Sequence, residues 1–267
     1  MLGAIAGDII GSRYEWKRKK RESFQPLFDN ESVFTDDTVL TIAIADAILH
    51  CSNEGSFQES KKRYAEKLKA YGTAYPYAGF GAMFKKWLQQ DSFEPYGSYG
   101  NGSAMRVSPI GFAFDDLHSV LEEAKKSAEV THNHEEGIKG AQAIASAVFL
   151  ARQNCSKYEI KTFVEDRCKY DLGQRLEQIR RHDSFDSTCQ GTVPQAIIAF
   201  LESNHFEDAI EKALSLGGDS DTIACMAGGI AHAYYKKIPE FIIEEVKSRL
   251  DARLNRVLEA FGDQYSV

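Results

Sequence analysis

The sequence predicts an all-α protein: one compact domain of orthogonally packed helices spanning residues 1–267. Three observations carry this expectation. Apolar residues recur at helical spacing almost everywhere, strand-like alternation of useful length is missing, and no Pro/Gly/Ser-rich linker divides the chain. With 43 % apolar, 27 % charged and 11 % aromatic residues, the composition is that of an ordinary globular protein. It excludes a disordered, collagen-like or disulfide-stapled chain.

The helical stretches are 37–50 (DTVLTIAIADAILH), 57–71, 116–130, 134–152, 191–203, 205–215, 219–236 and 239–261. Within 134–152, Ile138, Ala141, Ala145 and Val148 recur at steps of three or four and line one face. Alanine is frequent in 37–47, 141–151 and 223–233, where small side chains let helices approach closely. Residues 12–35, 72–103 and 166–190 read as irregular.

The charge balance excludes some partners. Against 32 Lys and Arg stand 39 Asp and Glu, a net charge of −7, whereas nucleic-acid binding needs a basic face. The basic run Trp16-Lys17-Arg18-Lys19-Lys20-Arg21 therefore reads as a solvated loop beside an acidic site. Five scattered cysteines with no Cys-x-x-Cys pair fit a reducing compartment rather than zinc or disulfides. The N-terminal run MLGAIAGDIIG lacks a preceding basic residue and is interrupted by Asp8, so it is not read as a signal peptide. No apolar stretch approaches the roughly 20 residues of a membrane helix. The expectation is a cytoplasmic protein with no membrane partner.

Two segments resemble each other: Thr35-Asp36-Asp37-Thr38 near the start and Asp219-Ser220-Asp221-Thr222 near the end, each directly before an apolar helix. Taken singly, each is a helix cap, because side-chain oxygens accept from the orphan N–H groups of a first turn. One cap, however, needs one oxygen, and each segment supplies three or more. Neighbouring helical residues point about 100° apart, so Asp36 and Asp37 cannot serve the same cap. Hydroxyl and carboxylate oxygens without nitrogen or sulfur select hard cations, Mg²⁺ or Mn²⁺. The two helix starts together point to a binuclear metal site.

The stretch from Phe93 through Gly97-Ser98-Tyr99-Gly100-Asn101-Gly102 to Arg106 is rich in glycine. Free N–H groups at such a turn suit a phosphate or pyrophosphate, and Tyr99 and Phe93 suit a base; the plain alternative is a surface loop with aromatic anchors. Thr131-His132-Asn133-His134 reads first as a helix cap with a histidine pair.

Taken in order, these blocks with Gly3-Ala4-Ile5-Ala6-Gly7-Asp8, Tyr14-Glu15 and Gly217-Gly218 resemble the ADP-ribosylglycohydrolase family, which includes the dinitrogenase-reductase-activating glycohydrolases. The resemblance runs from residue 2 to about 233. It implies an all-α fold with two Mg²⁺ or Mn²⁺ ions at the base of a cleft, held by Thr35, Asp36, Asp37, Asp219, Asp221 and Thr222. It places the family's gating glutamate on Glu15, and wraps pyrophosphate and distal ribose with Gly97, Ser98, Gly100 and Asn101. Tyr99 and Phe93 would flank the adenine, and His132 would lie near the phosphates or adjoining ribose.

The implied activity is metal-dependent cleavage of the N- or O-glycosidic bond linking ADP-ribose to a protein side chain or small molecule. Nucleic acid enters only as an ADP-ribosylated acceptor. Asp36, Asp37, Asp219 or Glu15 would handle the proton, and the choice among them stays open. Two other readings use the same residues. One is a non-catalytic ADP-ribose-binding or structural relative, as in a lens crystallin of this fold. The other is a two-metal nucleotide pyrophosphohydrolase.

Overall fold

The computed structural model describes residues 1–15, 24–50, 57–180 and 185–265. The basic run Trp16–Arg21, Cys51, His182 and Asp183 lie outside the described residues. Fifteen helices are described: α1 (Leu2–Gly11), α2 (Asp36–Leu49), α3 (Phe57–Ala74), α4 (Ala82–Leu88), α5 (Gly102–Met105), α6 (Ser108–Ala113), α7 (Leu117–Glu129), α8 (Glu135–Arg152), α9 (Lys157–Cys168), α10 (Leu176–Ile179), α11 (Cys189–Leu201), α12 (Phe206–Leu214), α13 (Ser220–Tyr235), α14 (Glu240–Arg249) and α15 (Ala252–Tyr265). A 3₁₀ turn, Ser12–Tyr14, continues α1. No β-strand occurs among the described residues, and none of the helices is long and apolar enough to cross a membrane. The all-α expectation is correct.

The long helices fall where apolar spacing puts them, within a few residues at each end. The stretch 239–261 is a correction: it divides into α14 and α15, because the chain turns extended at Leu250 (ψ 144°). Asp251 then takes the backbone N–H groups of Arg253 and Leu254 at 2.9 Å, opening the next helix. Helices α1, α4, α5, α6, α9 and α10 were not anticipated. Four of these have seven residues or fewer, too short for a 3.6-residue period to show.

Helix α13 is the hub. It packs against α1, α8, α11 and α12, and Ser220–Ala231 are buried on every face, as expected of a helix with no polar side. Its closest partner is α1, and the reason is steric. Gly3, Gly7 and Gly11 recur every four residues and so share one face of α1. A Cβ at Gly7 would sit 2.1 Å from the Ala224 carbonyl oxygen, one at Gly3 2.4 Å from that of Gly228, and one at Gly11 2.4 Å from Asp221 Cα. The backbones touch, and α1 is buried from Gly3 to Gly11. This contact carries Asp8 beside the first turn of α13.

Candidate active site

The site is built where the N-termini of α2 and α13 meet α1. Asp8 is fully buried and replaces water at the start of α2. Its Oδ2 accepts from the N–H groups of Thr35 (2.9 Å) and Thr38 (3.1 Å) and from the Thr38 hydroxyl, while Oδ1 accepts from the Thr35 hydroxyl at 2.6 Å. Four orphan donors at a helix N-terminus thus find an acceptor from another helix. Asp36 and Asp37 are thereby freed from capping.

Gly217 and Gly218 hold φ of +72° and +69°, a region that strains any other side chain, and the turn delivers Asp219 to the N-cap of α13. Asp219 makes no side-chain capping bond; its Oδ2 accepts from Asn101 Nδ2 at 2.7 Å. The capping reading is therefore overturned for Asp219. The two helix starts, 185 residues apart in sequence, are joined by the Thr222 hydroxyl donating to Asp37 Oδ2 at 3.2 Å.

Two carboxylate trios result: Asp8, Asp37 and Asp221, and Glu15, Asp219 and Asp221. In each, one oxygen from every member lies within 4.8 Å of the others, and Asp221 belongs to both. Among the described residues no Lys or Arg forms an ion pair with Asp8, Asp36, Asp37, Asp219 or Asp221. Burial is the main force raising the proton affinity of all five. Mutual repulsion adds to it: Asp8 and Asp36 push Asp37 well up, and Asp37, Asp219 and Glu15 do the same to Asp221. Asp36, half-buried, is pushed up to about 8 by burial first and then by Asp8.

A buried acidic cluster of this kind is unfavourable alone and becomes favourable around a cation. Two details fit such an occupant. Asp37 Oδ1 is buried with no hydrogen-bond partner. The Thr35 and Thr222 hydroxyls each give their single proton to a carboxylate, Asp8 and Asp37; Thr35 Oγ1 also accepts the Asp37 N–H at 3.4 Å as the cap of α2, which still leaves each oxygen a lone pair for a cation. Every donor is oxygen, which suits a hard divalent ion and not zinc.

Above the acids lies a cleft of about 580 Å³, whose walls include Glu15, Asp36, Asp37, Asp219, Asp221 and Thr222. Thr35 stands behind the wall, hydrogen-bonded to Asp8. Gly97, Ser98, Tyr99, Gly100, Asn101 and His132 line the cleft together, as the resemblance implies. The loop is held by the protein on its far side: Gly97 N–H donates to Asn133 Oδ1 (2.8 Å), Gly100 N–H to Ser98 Oγ (3.1 Å) and Asn101 N–H to the Ser187 carbonyl (2.8 Å). The N–H groups of Gly97, Gly100 and Asn101 are therefore already engaged, and these bonds hold the loop in one shape. His134 caps α8 through its Nδ1 (3.1 Å from Glu136 N), so the capping reading holds for His134, whereas His132 turns into the cleft.

Phe93 is a second correction. It is absent from the cleft lining and lies 5.3 Å from Lys69 Nζ, outside the site. The exposed aromatics that do line the cleft are Tyr99 and Phe185, 48 % and 44 % accessible. Tyr96, Arg106 and Gly79 also line it and were not foreseen, nor was the role of Asp8. For Asp8 a signal existed: a lone acid inside the apolar run Ile5-Ala6-Gly7-Asp8-Ile9-Ile10 demands a buried partner.

Comparison with known proteins agrees with this geometry. The family model for ADP-ribosylglycohydrolase matches residues 1–266. ADP-ribosylhydrolase ARH3 of Mus musculus is 30 % identical over 318 aligned positions, covering 90 % of this chain and 84 % of that protein. The Homo sapiens ARH3 is likewise 30 % identical, over 90 % and 86 %. ADP-ribosylarginine hydrolase Tri1 of Pseudomonas putida is 25 % identical, over 88 % and 69 %. A solved structure titled ADP-ribosylglycohydrolase-related protein complex superposes with a TM-score of 0.68 at 20 % identity, covering 97 % of this chain and 95 % of that one, and shows the shared fold. With the acids of α1, α2 and α13 gathered under one cleft and the match running almost end to end, the chain belongs to the ADP-ribosylglycohydrolase family, enzymes that hydrolyse the glycosidic bond of ADP-ribose.

Proposed function

We propose that this enzyme releases ADP-ribose from a modified protein side chain or small molecule, and that it holds two Mg²⁺ or Mn²⁺ ions to do so. The observation that carries this reading is the pair of carboxylate trios sharing Asp221 directly beneath the cleft. Asp37, Asp221, Asp219 and Glu15, with the hydroxyls of Thr35 and Thr222, are the residues that would hold the ions. Bound there, the ions supply Lewis-acid binding of ribose hydroxyls and a lowered water pKa.

The chain's own groups do the rest. Asn101 is fixed by its Nδ2 donating to Asp219 at 2.7 Å and lines the cleft beside the acids, where it would meet the ribose. The rigid Gly97–Asn101 turn and His132 receive the pyrophosphate, and Tyr99 with Phe185 flanks the base. Cleavage passes through an oxocarbenium-like state, whose positive charge the surrounding carboxylates stabilise. Asp36 lines the cleft yet belongs to neither trio, so it is the carboxylate free to take the proton of the attacking water. The free thiols of Cys155, Cys168, Cys189 and Cys225 fit a reducing, cytoplasmic setting, and residues 1–267 act as one domain.

The test is product analysis. With Mg²⁺ present, ADP-ribosylated arginine, ADP-ribosylated serine and ADP-ribosylated nucleic-acid ends are each supplied, and free ADP-ribose is the expected product from at least one. AMP with ribose phosphate would instead mark a pyrophosphohydrolase. No release from any of them would reject the reading.

A further inference from the structure

We propose that Thr131, itself fixed by the buried guanidinium of Arg106, is a positioning residue that locks His132 in the tautomer carrying its proton on Nε2, aimed at the anionic middle of the ligand. The proposal rests on the ADP-ribose reading above for the identity of that ligand, and on geometry alone for the lock.

Arg106 is fully buried and forms no ion pair with a carboxylate among the described residues. Its Nη2 donates to the Ser127 carbonyl at 2.7 Å and to the Thr131 hydroxyl at 2.8 Å. A guanidinium only donates, so it occupies a lone pair of Thr131 Oγ1 and leaves the hydroxyl proton to be placed elsewhere. His132 Nδ1 lies 2.7 Å from that oxygen. With the proton given to Nδ1, that nitrogen is an acceptor and the ring's own proton sits on Nε2. All three side chains are at least nine-tenths buried, so water does not compete for these bonds.

Nε2 faces the loop through a gap that two glycines keep open. A Cβ on Gly102 would come within 3.2 Å of it, and one on Gly100 within 3.8 Å. His132 and Arg106 both line the cleft. The positive charge of Arg106 adds to burial in keeping the imidazole neutral. A neutral ring whose only N–H points toward the cleft is a hydrogen-bond donor to phosphate oxygen at any neutral pH. The uncompensated Arg106 charge behind it favours an anion in the same place.

The competing arrangement is specific. If Thr131 gave its proton to the Tyr96 hydroxyl instead, Nδ1 would carry the ring proton and Nε2 would face the phosphates as a bare acceptor. Long-range ¹H–¹⁵N spectra of the ligand-free protein, with His132 assigned by comparison with His132→Asn, separate the two. The expected result is a protonated Nε2 and an unprotonated Nδ1; the reverse would overturn the proposal. Thr131→Val should scramble the tautomer and weaken Mg²⁺-dependent ADP-ribose binding about fivefold to tenfold, while adenosine binding stays within twofold. Thr131→Ser should restore both readouts. A Thr131→Val protein that binds ADP-ribose like wild type, or loses ADP-ribose and adenosine in proportion, would overturn it. Wild-type protein that fails to bind ADP-ribose would remove the ligand reading, while the tautomer, read without ligand, still decides the lock.

Discussion

Replacing Gly7 with alanine adds a single methyl group, and the structure says what that methyl meets. It would sit 2.1 Å from the Ala224 carbonyl oxygen, 2.4 Å from its carbon and 2.7 Å from Cys225 N, all backbone atoms of α13. None can rotate away, so α1 and α13 must separate by about 1 Å to reach van der Waals contact. A gap of that size forfeits roughly a quarter to a half of the dispersion between the facing atoms. Overpacking of this kind costs about 1–3 kcal/mol, against which alanine's better helix propensity returns at most about 1 kcal/mol. A net loss of up to about 2 kcal/mol in a chain this long lowers the melting temperature by up to roughly 8 °C. Asp8 is the next residue, so the same shift draws it from Asp221 and loosens a trio whose oxygens now lie within 4.8 Å. Calorimetry should show Mg²⁺ binding weakened by about tenfold or more, with the melt shifted down. Gly173→Ala, whose methyl meets only the Asp171 carboxylate end at 3.1 Å, should change neither. A Gly7→Ala protein that melts and binds Mg²⁺ like wild type would refute the claim that backbone contact sets the site's spacing.

Other outcomes follow from the same structure. Asp36→Asn should keep or raise the metal-free melting temperature, because it removes a carboxyl whose ionisation burial and Asp8 oppose in the fold, while cleavage falls by about 10²–10⁴-fold; a variant that unfolds would return Asp36 to a structural role. The pH dependence has a definite sign. Folded Asp36 keeps its proton to about 8, whereas the unfolded carboxyl loses it near 3.8, so metal-free stability should fall as pH rises between those values and level off above. Asp37 and Asp221, which would hold the ions, also bind protons far more tightly than ordinary carboxylates, and Mg²⁺ must displace those protons, so its affinity should rise with pH; melts in EDTA and Mg²⁺ titrations from pH 5 to 9 read both. Phe185→Ser should weaken ADP-ribose binding several-fold, whereas Phe93→Ser should leave it unchanged; the opposite pattern would put Phe93 back at the base.

Much of the fold was legible because its long helices bury wide apolar faces, and a 3.6-residue period survives over 10 or more positions. The aspartate pairs were legible for a different reason: they supply more oxygens than a cap can use. Asp8 was harder to see, since its partners come from two distant elements: Thr35 and Thr38 from α2 packing on α1, and Asp221 from the α1–α13 contact. The Phe93 expectation failed because loop spacing does not fix which aromatic reaches a cleft. Residues 97–101 are tied to the 185–189 segment by the Gly100–Thr188 bridge and the Cys189-to-Tyr99 bond, which carries Phe185 in. Such pairing between distant irregular segments leaves no periodic trace.

The glycine face of α1 also sets a schedule for biosynthesis. At about 5–20 residues per second, a ribosome finishes this first helix roughly ten to forty seconds before it delivers the helix that covers it. Throughout that interval Asp8 can meet only its α2 partners, Thr35 and Thr38, while the glycine face of α1 has no α13 backbone to pack against. A prematurely terminated product ending before residue 219 therefore lacks Asp219 and Asp221, the latter shared by both trios: its first helix stays uncovered, a substrate for chaperones and proteases rather than a partly working enzyme.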